Sequence, residues 1–393
     1  MRKEFYIQPS TESAPAPPSG PLGGCRICLQ PNLAVRGWRM EAGSRALENH
    51  VATEDAFVVE RLRSQGAILA GSVHMAELGF GTVGDATAPA VREDCDAGLV
   101  TDAFGECRVM AVAHGLAGFK PSQGMVSRRG LAGLIPSMEC ISIVAREVAS
   151  VSKMFRSIAV VDEQDASMRR AQRPDFPVAG ATANPFQTVG VIQEAVALLS
   201  ETEQGTFRRH LDRAAAKGLA VREVSVKEFT LFRKAHQVIG AVEASSSAGK
   251  YDGVRYGHRA AGTSNWNEMY LKTRAENFGT LVKSYLFQGA YFQFKDFDAF
   301  QDACRIRNRL LKTVESLFGQ VDVLALPVRR PSADPARART VEDVYDAFEM
   351  TLPANLLGLP AAVFPGPEPA DAGDPGLQWV APTLRDADVL SLG

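Results

Sequence analysis

The chain has 393 residues, with 43 basic against 45 acidic side chains, a net charge of −2 and 46% hydrophobic residues. The length and apolar content suit one large α/β domain or a few smaller ones, and the near-neutral balance argues against a dominant nucleic-acid surface, which needs clustered Lys and Arg. No run of about 18 apolar residues is available to span a membrane. Met1 to Tyr6 lacks the apolar stretch of a signal peptide, so a cytoplasmic protein is expected.

In chain order, residues 1–19 are expected to form a flexible lead-in, because the run 8–24 is rich in Pro, Ser and Gly. Residues 25–30 read as the first strand. Cys25, Ile27 and Leu29 alternate there with Arg26, Cys28 and Gln30, which puts the two cysteines of this CxxC on opposite faces. No second CxxC completes a zinc site, and six cysteines in a chain this long make no disulfide framework. Residues 54–64 read as a helix, with Phe57, Val58 and Leu62 at helical spacing, and 66–71 as a short buried strand, giving a βαβ unit. The stretch 136–156 reads as a long helix interrupted near Ser142, and 161–187 as a connection. Residues 189–199 and 201–217 read as helical, with Gly218 as a stop. Residues 221–226 read as a strand and 264–318 as helix-rich, its aromatics from Tyr285 to Phe300 serving helix packing. Residues 321–327 read as a buried strand ending at proline, and 329–340 as a loop. No repeat is present, so one α/β domain over 20–393 is expected.

Three sets of residues carry a resemblance: 20–32 with 42–49 and 54–71; Gly118-Phe119-Lys120-Pro121 running on to Gly130, with Ala145-Arg146; and Glu243-Ala244-Ser245-Ser246, Tyr251 to Gly257 and Leu352-Pro353-Ala354-Asn355 to Pro360. Together they make the chain similar to the amidase signature family, nearest its amidotransferase A subunits, over nearly the whole length. The resemblance implies an amidase signature fold, one large domain with a central mixed β-sheet covered by helices on both faces. It also implies a lysine that deprotonates a bridging serine, which activates a serine nucleophile, while backbone N–H groups of a glycine-rich loop hold the oxyanion.

At the matching positions the catalytic residue types differ. Gln30 stands where the family lysine would be, and an amide is no base near neutral pH. Glu106 stands at the nucleophile position, and Phe104 replaces a loop glycine. The interval 81–98, matching the segment of the bridging serine, holds no serine, and its Arg92, Glu93, Asp94 and Asp96 imply partial exposure. Tyr285 and Phe348 stand where an arginine and an aspartate would grip a zwitterionic substrate, and His236 matches a family tyrosine. These replacements point to lost serine chemistry and a pocket refitted for a less charged small molecule, lined by Asp102, Phe104, Tyr285 and Phe348. Glu106 would be the acid or base, its pKa raised by burial, with His236 and Gln30 beside it; Cys107 would point away. A repurposed biosynthetic enzyme is the first expectation. The alternative is a non-catalytic pseudo-amidase acting as a scaffold or as one member of a protein complex, in which Glu106 merely pairs with Arg108, His236 is a satisfied core histidine, and Tyr285 and Phe348 are core aromatics.

No cofactor or metal is expected, and a protein partner or homo-oligomer is possible. Family helices that would precede Gly20 and follow Gly393 are not in the sequence. That implies different partner contacts and no nucleic-acid role.

Overall fold

Apolar strands and amphipathic helices follow one another along the chain, and the strands join into one sheet. The structure is a computed structural model that describes residues 3–10, 20–169, 185–366 and 373–393; the expected lead-in at 11–19 and most of the connection at 161–187 lie outside these. The first half contains β1 (Tyr6–Pro9), β2 (Arg26–Leu29), α1 (Phe57–Ser64), β3 (Ile68–Val73), α2 (Thr87–Glu93), β4 (Ala97–Asp102), α3 (Glu106–His114), β5 (Ala117–Lys120), β6 (Cys140–Ala145) and α4 (Val148–Ile158). Next come β7 (Thr188–Ile192), α5 (Gln193–Val196), α6 (Glu201–Ala216), β8 (Ala220–Val224), α7 (Thr230–Ser247), α8 (Trp266–Asn277), α9 (Thr280–Phe294) and α10 (Phe297–Phe318). The chain closes with β9 (Val323–Pro327), α11 (Val341–Phe348), α12 (Leu352–Leu356), β10 (Ala361–Val363), β11 (Leu377–Val380) and α13 (Asp386–Leu390).

The eleven strands lie in the order β1-β3-β2-β4-β6-β5-β10-β11-β9-β7-β8. The β3-β2-β4 and β9-β7-β8 groups are parallel, and the ladders between β4 and β9 are antiparallel. The chain moves from β2 to β3 and then back across β2 to β4. Right-handed crossovers in opposite directions place α1 and α2 on opposite faces of the sheet, and α4 packs with α1 while α3 packs with α2. This is the α/β fold with a central mixed sheet that the sequence implied.

Several expectations are corrected. Tyr6–Pro9 is an edge strand antiparallel to β3, not part of a loose lead-in. Cys140–Ala145 is a central strand between β4 and β5, where a helix was expected. Thr188–Ile192 is likewise a strand, between β8 and β9. The cause is common to both: nearly every residue in them is buried, and a strand covered on both faces reads as a continuous apolar run without the period-two signature. Helix α6 begins where local chemistry says it should, since Ser200 and Glu203 form a reciprocal capping box. The aromatic run divides: Tyr285 and Leu286 are buried, whereas Phe287 and Phe294 are 73% and 80% exposed, so packing accounts for only one side of α9. In the interval 81–98, Thr87, Ala88, Ala90 and Val91 are buried. Arg92, Glu93 and Asp96 are exposed, and Asp94 meets Arg26 at 3.2 Å and accepts a hydrogen bond from Tyr6 Oη at 2.7 Å. All six cysteines are free. No helix among the described residues is long and apolar enough to cross a membrane.

Helices α7 and α9 make a close contact that depends on Gly289. A Cβ there would lie 1.8 Å from the Ala241 carbonyl oxygen. Gly289→Ala should therefore destabilise the protein by about 1–3 kcal/mol, despite the ~1 kcal/mol that alanine adds to helix propensity. Denaturant unfolding checks this; an unchanged or raised midpoint would show that the two helices part at no cost.

Candidate functional site

Strand β4 runs into α3 through Ala103, Phe104 and Gly105, and the strand-turn-helix junction builds the site. Gly105 has φ +124°, and a Cβ on it would lie 2.1 Å from Thr351 Oγ1, so only glycine fits. Thr351 Oγ1 donates to the Phe104 carbonyl oxygen at 2.5 Å. This turn aims three successive backbone N–H groups at one point, forming an anion-binding nest. The point is occupied by the protein itself: Glu106 Oε2 accepts from the N–H groups of Ala103, Phe104 and Gly105 at 2.8, 2.8 and 3.1 Å. Glu106 is buried, and its Oε1 has no hydrogen-bond partner among the described residues. Burial, followed by the nearby charge of Asp102, pushes its carboxyl up to about 8, against the pull of the N–H groups that favour the anion.

Phe104 is the centre of an aromatic cluster. Its ring centroid lies 4.8 Å from His236, 5.2 Å from Phe80, 5.4 Å from Tyr345, 6.1 Å from Phe348 and 6.2 Å from Tyr285. All of these residues are buried, and edge and tilted contacts of this kind add to the gain from burial. His236 Nε2 lies 3.0 Å from the Ala103 carbonyl oxygen, and Nδ1 lies 3.0 Å from Tyr345 Oη. A carbonyl only accepts, so Nε2 carries the proton, and burial holds His236 neutral by lowering its pKa to about 4. Nδ1 therefore accepts from Tyr345, and Tyr345 in turn accepts from Tyr285 at 2.9 Å. The relay is saturated from end to end.

The structure brings together Glu106, Phe104, His236, Tyr285 and Phe348, as the sequence suggested, but it packs them against one another. Asp102 is committed elsewhere: its carboxylate pairs with Arg108 at 3.2 Å and accepts from Asn355 Nδ2 at 2.8 Å. The pairing of Glu106 with Arg108 weighed from sequence is thus replaced by Asp102 with Arg108. Arg108 is fully buried and makes five hydrogen bonds, two to Asp102 and one each to the Thr351 carbonyl, Gln378 and Asn355. Gln30 does not contact Glu106. Its Nε2 donates to Asp85 Oδ2 at 2.6 Å, and its Oε1 accepts from Thr101 N and Oγ1 at 2.7 and 3.0 Å. Cys107 points into the sheet, toward the Ile143 carbonyl at 3.2 Å.

Sequence reasoning missed Asp85 and Tyr345. Asp85, pushed up by burial, lay inside a segment read only as remodelled. Tyr345 sits one helical turn before Phe348 on α11, and that spacing could have flagged it. No group of three or more His, Cys, Asp or Glu side chains among the described residues could hold a metal ion.

A family model described as Amidase matches residues 8–90 and 84–390. The A subunit of glutamyl-tRNA(Gln) amidotransferase from Natronomonas pharaonis is 33% identical, with 95% of each chain covered. The protein of the same name from Haloarcula marismortui is 31% identical over the same shares. Among solved structures, the A subunit of glutamyl-tRNA(Gln) amidotransferase from Thermotoga maritima superposes with a TM-score of 0.79 at 21% identity, covering 99% of this chain and 85% of that one. A 6-aminohexanoate cyclic dimer hydrolase gives 0.76 at 19% identity, covering 99% and 88%.

Two measurements probe the junction. The raised pKa of Glu106 means that stability present below its ordinary value of 4.5 is lost as pH rises through about 8. Glu106→Gln keeps an acceptor for the N–H groups and removes the titration. Its stability relative to the natural chain should therefore grow by roughly 2–5 kcal/mol between those values; a pH-independent difference in unfolding free energy would contradict this. Arg108→Met should cost about 3–5 kcal/mol by leaving Asp102 buried and unpaired, and denaturant unfolding would show it.

Proposed function

The chain belongs to the amidase family, and from that premise we propose that it keeps the fold without serine amide hydrolysis and serves as a non-catalytic, ligand- or partner-binding component of a cytoplasmic assembly. The observation that carries this reading is the filled nest. Amide hydrolysis through a serine needs a hydroxyl nucleophile, a base to deprotonate it and vacant N–H donors where the oxyanion develops. Here the three donors at the head of α3 are spent on Glu106 Oε2. Gln30, at the position of the family lysine, is spent on Asp85 and Thr101. Tyr285 and Phe348, which the family resemblance puts at the substrate-gripping positions, are buried, and so is Phe104.

The assembly part rests on the relatives, which are named as subunits of an amidotransferase. Partner contacts in this chain remain its own, and nothing in the near-neutral charge favours nucleic acid.

One observation favours the second reading, a repurposed enzyme. A carboxyl pushed up to about 8 with a free Oε1 is poised for proton transfer near neutral pH. In that reading Glu106→Gln abolishes turnover of whatever small molecule co-purifies, with folding intact.

A fluorophosphonate that labels activated serines, with the adduct mapped by mass spectrometry, tests the main reading. No labelled serine and no ammonia release from glutamine or simple amides is the expected outcome. A stoichiometric adduct on any serine of the chain, or ammonia release from glutamine or a simple amide, would refute it. Purification from the native host should yield a stoichiometric complex with a second chain rather than a turned-over substrate.

A further inference from the structure

A cavity of about 260 Å³ lies apart from the Glu106 site and shares no lining residue with it. Met40, Leu47 and Leu131 contribute apolar wall, and the rings of His50 and Tyr256 meet edge to face at 5.2 Å along it. Its polar lining is largely accounted for. Arg129 is neutralised by Glu60 at 2.9 Å and Asp162 at 2.8 Å, and Asp55 pairs with Arg63 at 3.1 Å. Glu54 is exposed at the rim.

Two neighbouring groups are not accounted for. Tyr251 is 1% exposed, and its hydroxyl has no hydrogen-bond partner among the described residues. Buried polar groups without partners are few in native proteins, and each calls for a cause. Lys250 is partly buried, with Nζ 5.0 Å above the Tyr251 ring and no carboxylate within ion-pair distance among the described residues. Burial lowers its pKa, partly offset by the charge of Glu139. Glu139 does not reach it, and its Oε2 accepts from the Leu134 N–H at 2.9 Å.

An O–H donor and an adjacent ammonium thus both lack an acceptor, in a cavity whose remaining surface is mostly apolar. A carboxylate accepts from both. Lys250 has no carboxylate within ion-pair distance among the described residues, so it can take one negative charge, while the charge of Glu139 and Glu54 at the rim disfavour a second. We propose that this cavity binds a small organic monocarboxylate, its acid group held by Lys250 and Tyr251 and its apolar body against Met40, Leu47 and Leu131. The size suits a compact ligand, below the usual range of about 300–1,000 Å³ for drug-sized molecules. This inference is independent of whether the Glu106 site is catalytic.

The test uses the full chain with 3-phenylpropionate, benzoate and 4-methylpentanoate, and with the primary amide of each, by calorimetry and thermal shift. At least one acid should bind and raise Tm, with its amide weaker by about tenfold or more. Lys250→Met should abolish the preference for acid over amide. Tyr251→Phe should weaken acid binding by about tenfold while leaving the unliganded Tm unchanged or higher, since it deletes an unsatisfied hydroxyl. Failure of all three acids to bind at millimolar concentration would overturn the proposal. So would equal binding of acid and amide, unchanged acid affinity in Lys250→Met, or a lower unliganded Tm for Tyr251→Phe.

Discussion

The ion pair between Asp102 and Arg108 ties the two ends of the fold together. Asp102 ends β4 and Arg108 lies in the first turn of α3, so the pair sets the angle at which strand becomes helix. Arg108 has five N–H donors and makes five hydrogen bonds, reaching the Thr351 carbonyl, Asn355 on α12 and Gln378 on β11. Gln378 passes the connection on to the carbonyls of Met350 and Pro327. A buried pair of charges is costly unless every donor and lone pair finds a partner, and here the donors do. The junction that shapes the site is therefore held by residues more than two hundred positions away in the chain.

That rigidity explains what Glu106 does. The turn before α3 must aim its N–H groups at one point, because Gly105 fits only as glycine and Thr351 closes on Phe104. A nest so fixed attracts negative charge whether or not a reaction supplies it. Glu106, at the first position of the helix, folds its own carboxylate back into the nest. Two opposing influences meet on that carboxylate: desolvation and Asp102 favour the neutral acid, while three N–H dipoles favour the anion. The balance leaves an acid that titrates near neutral pH inside a closed space.

Phe104 closes that space, and its large ring has consequences for every neighbour. His236, Tyr345, Phe348, Tyr285 and Phe80 all pack on its ring. The polar atoms among them face one another in a chain that starts at Tyr285 and ends at the Ala103 carbonyl. Neutral His236 serves this chain as one donor and one acceptor, and its depressed pKa means that the arrangement is stable above the ordinary histidine value of 6.5 and weakens as pH falls toward about 4.

Much of this was legible in the residues alone. The βαβ opening, the late buried strand ending at Pro327 and the helix-rich stretch followed from local periodicity and punctuation. By resemblance, Glu106 and Phe104 were placed through ungapped spacing to Gly118-Phe119-Lys120-Pro121, and Gln30, His236, Tyr285 and Phe348 through their own neighbouring motifs. Strands β6 and β7 were not legible, since burial on both faces removes the alternation that marks a strand. The sequence by itself pointed to Glu106, Phe104, His236, Tyr285 and Phe348 at the head of α3, but not to Tyr345 or Phe80. Only the tertiary structure decided what they do there: that Arg108 serves Asp102 and not Glu106, that Gln30 turns to Asp85, and that the aromatic residues fill the space. The physical reason is that hydrogen-bond and ion-pair partners are chosen by distance and burial across the folded sheet, and no local pattern names the partner, whether it lies 6 residues away as for Asp102 and Arg108 or 55 as for Gln30 and Asp85.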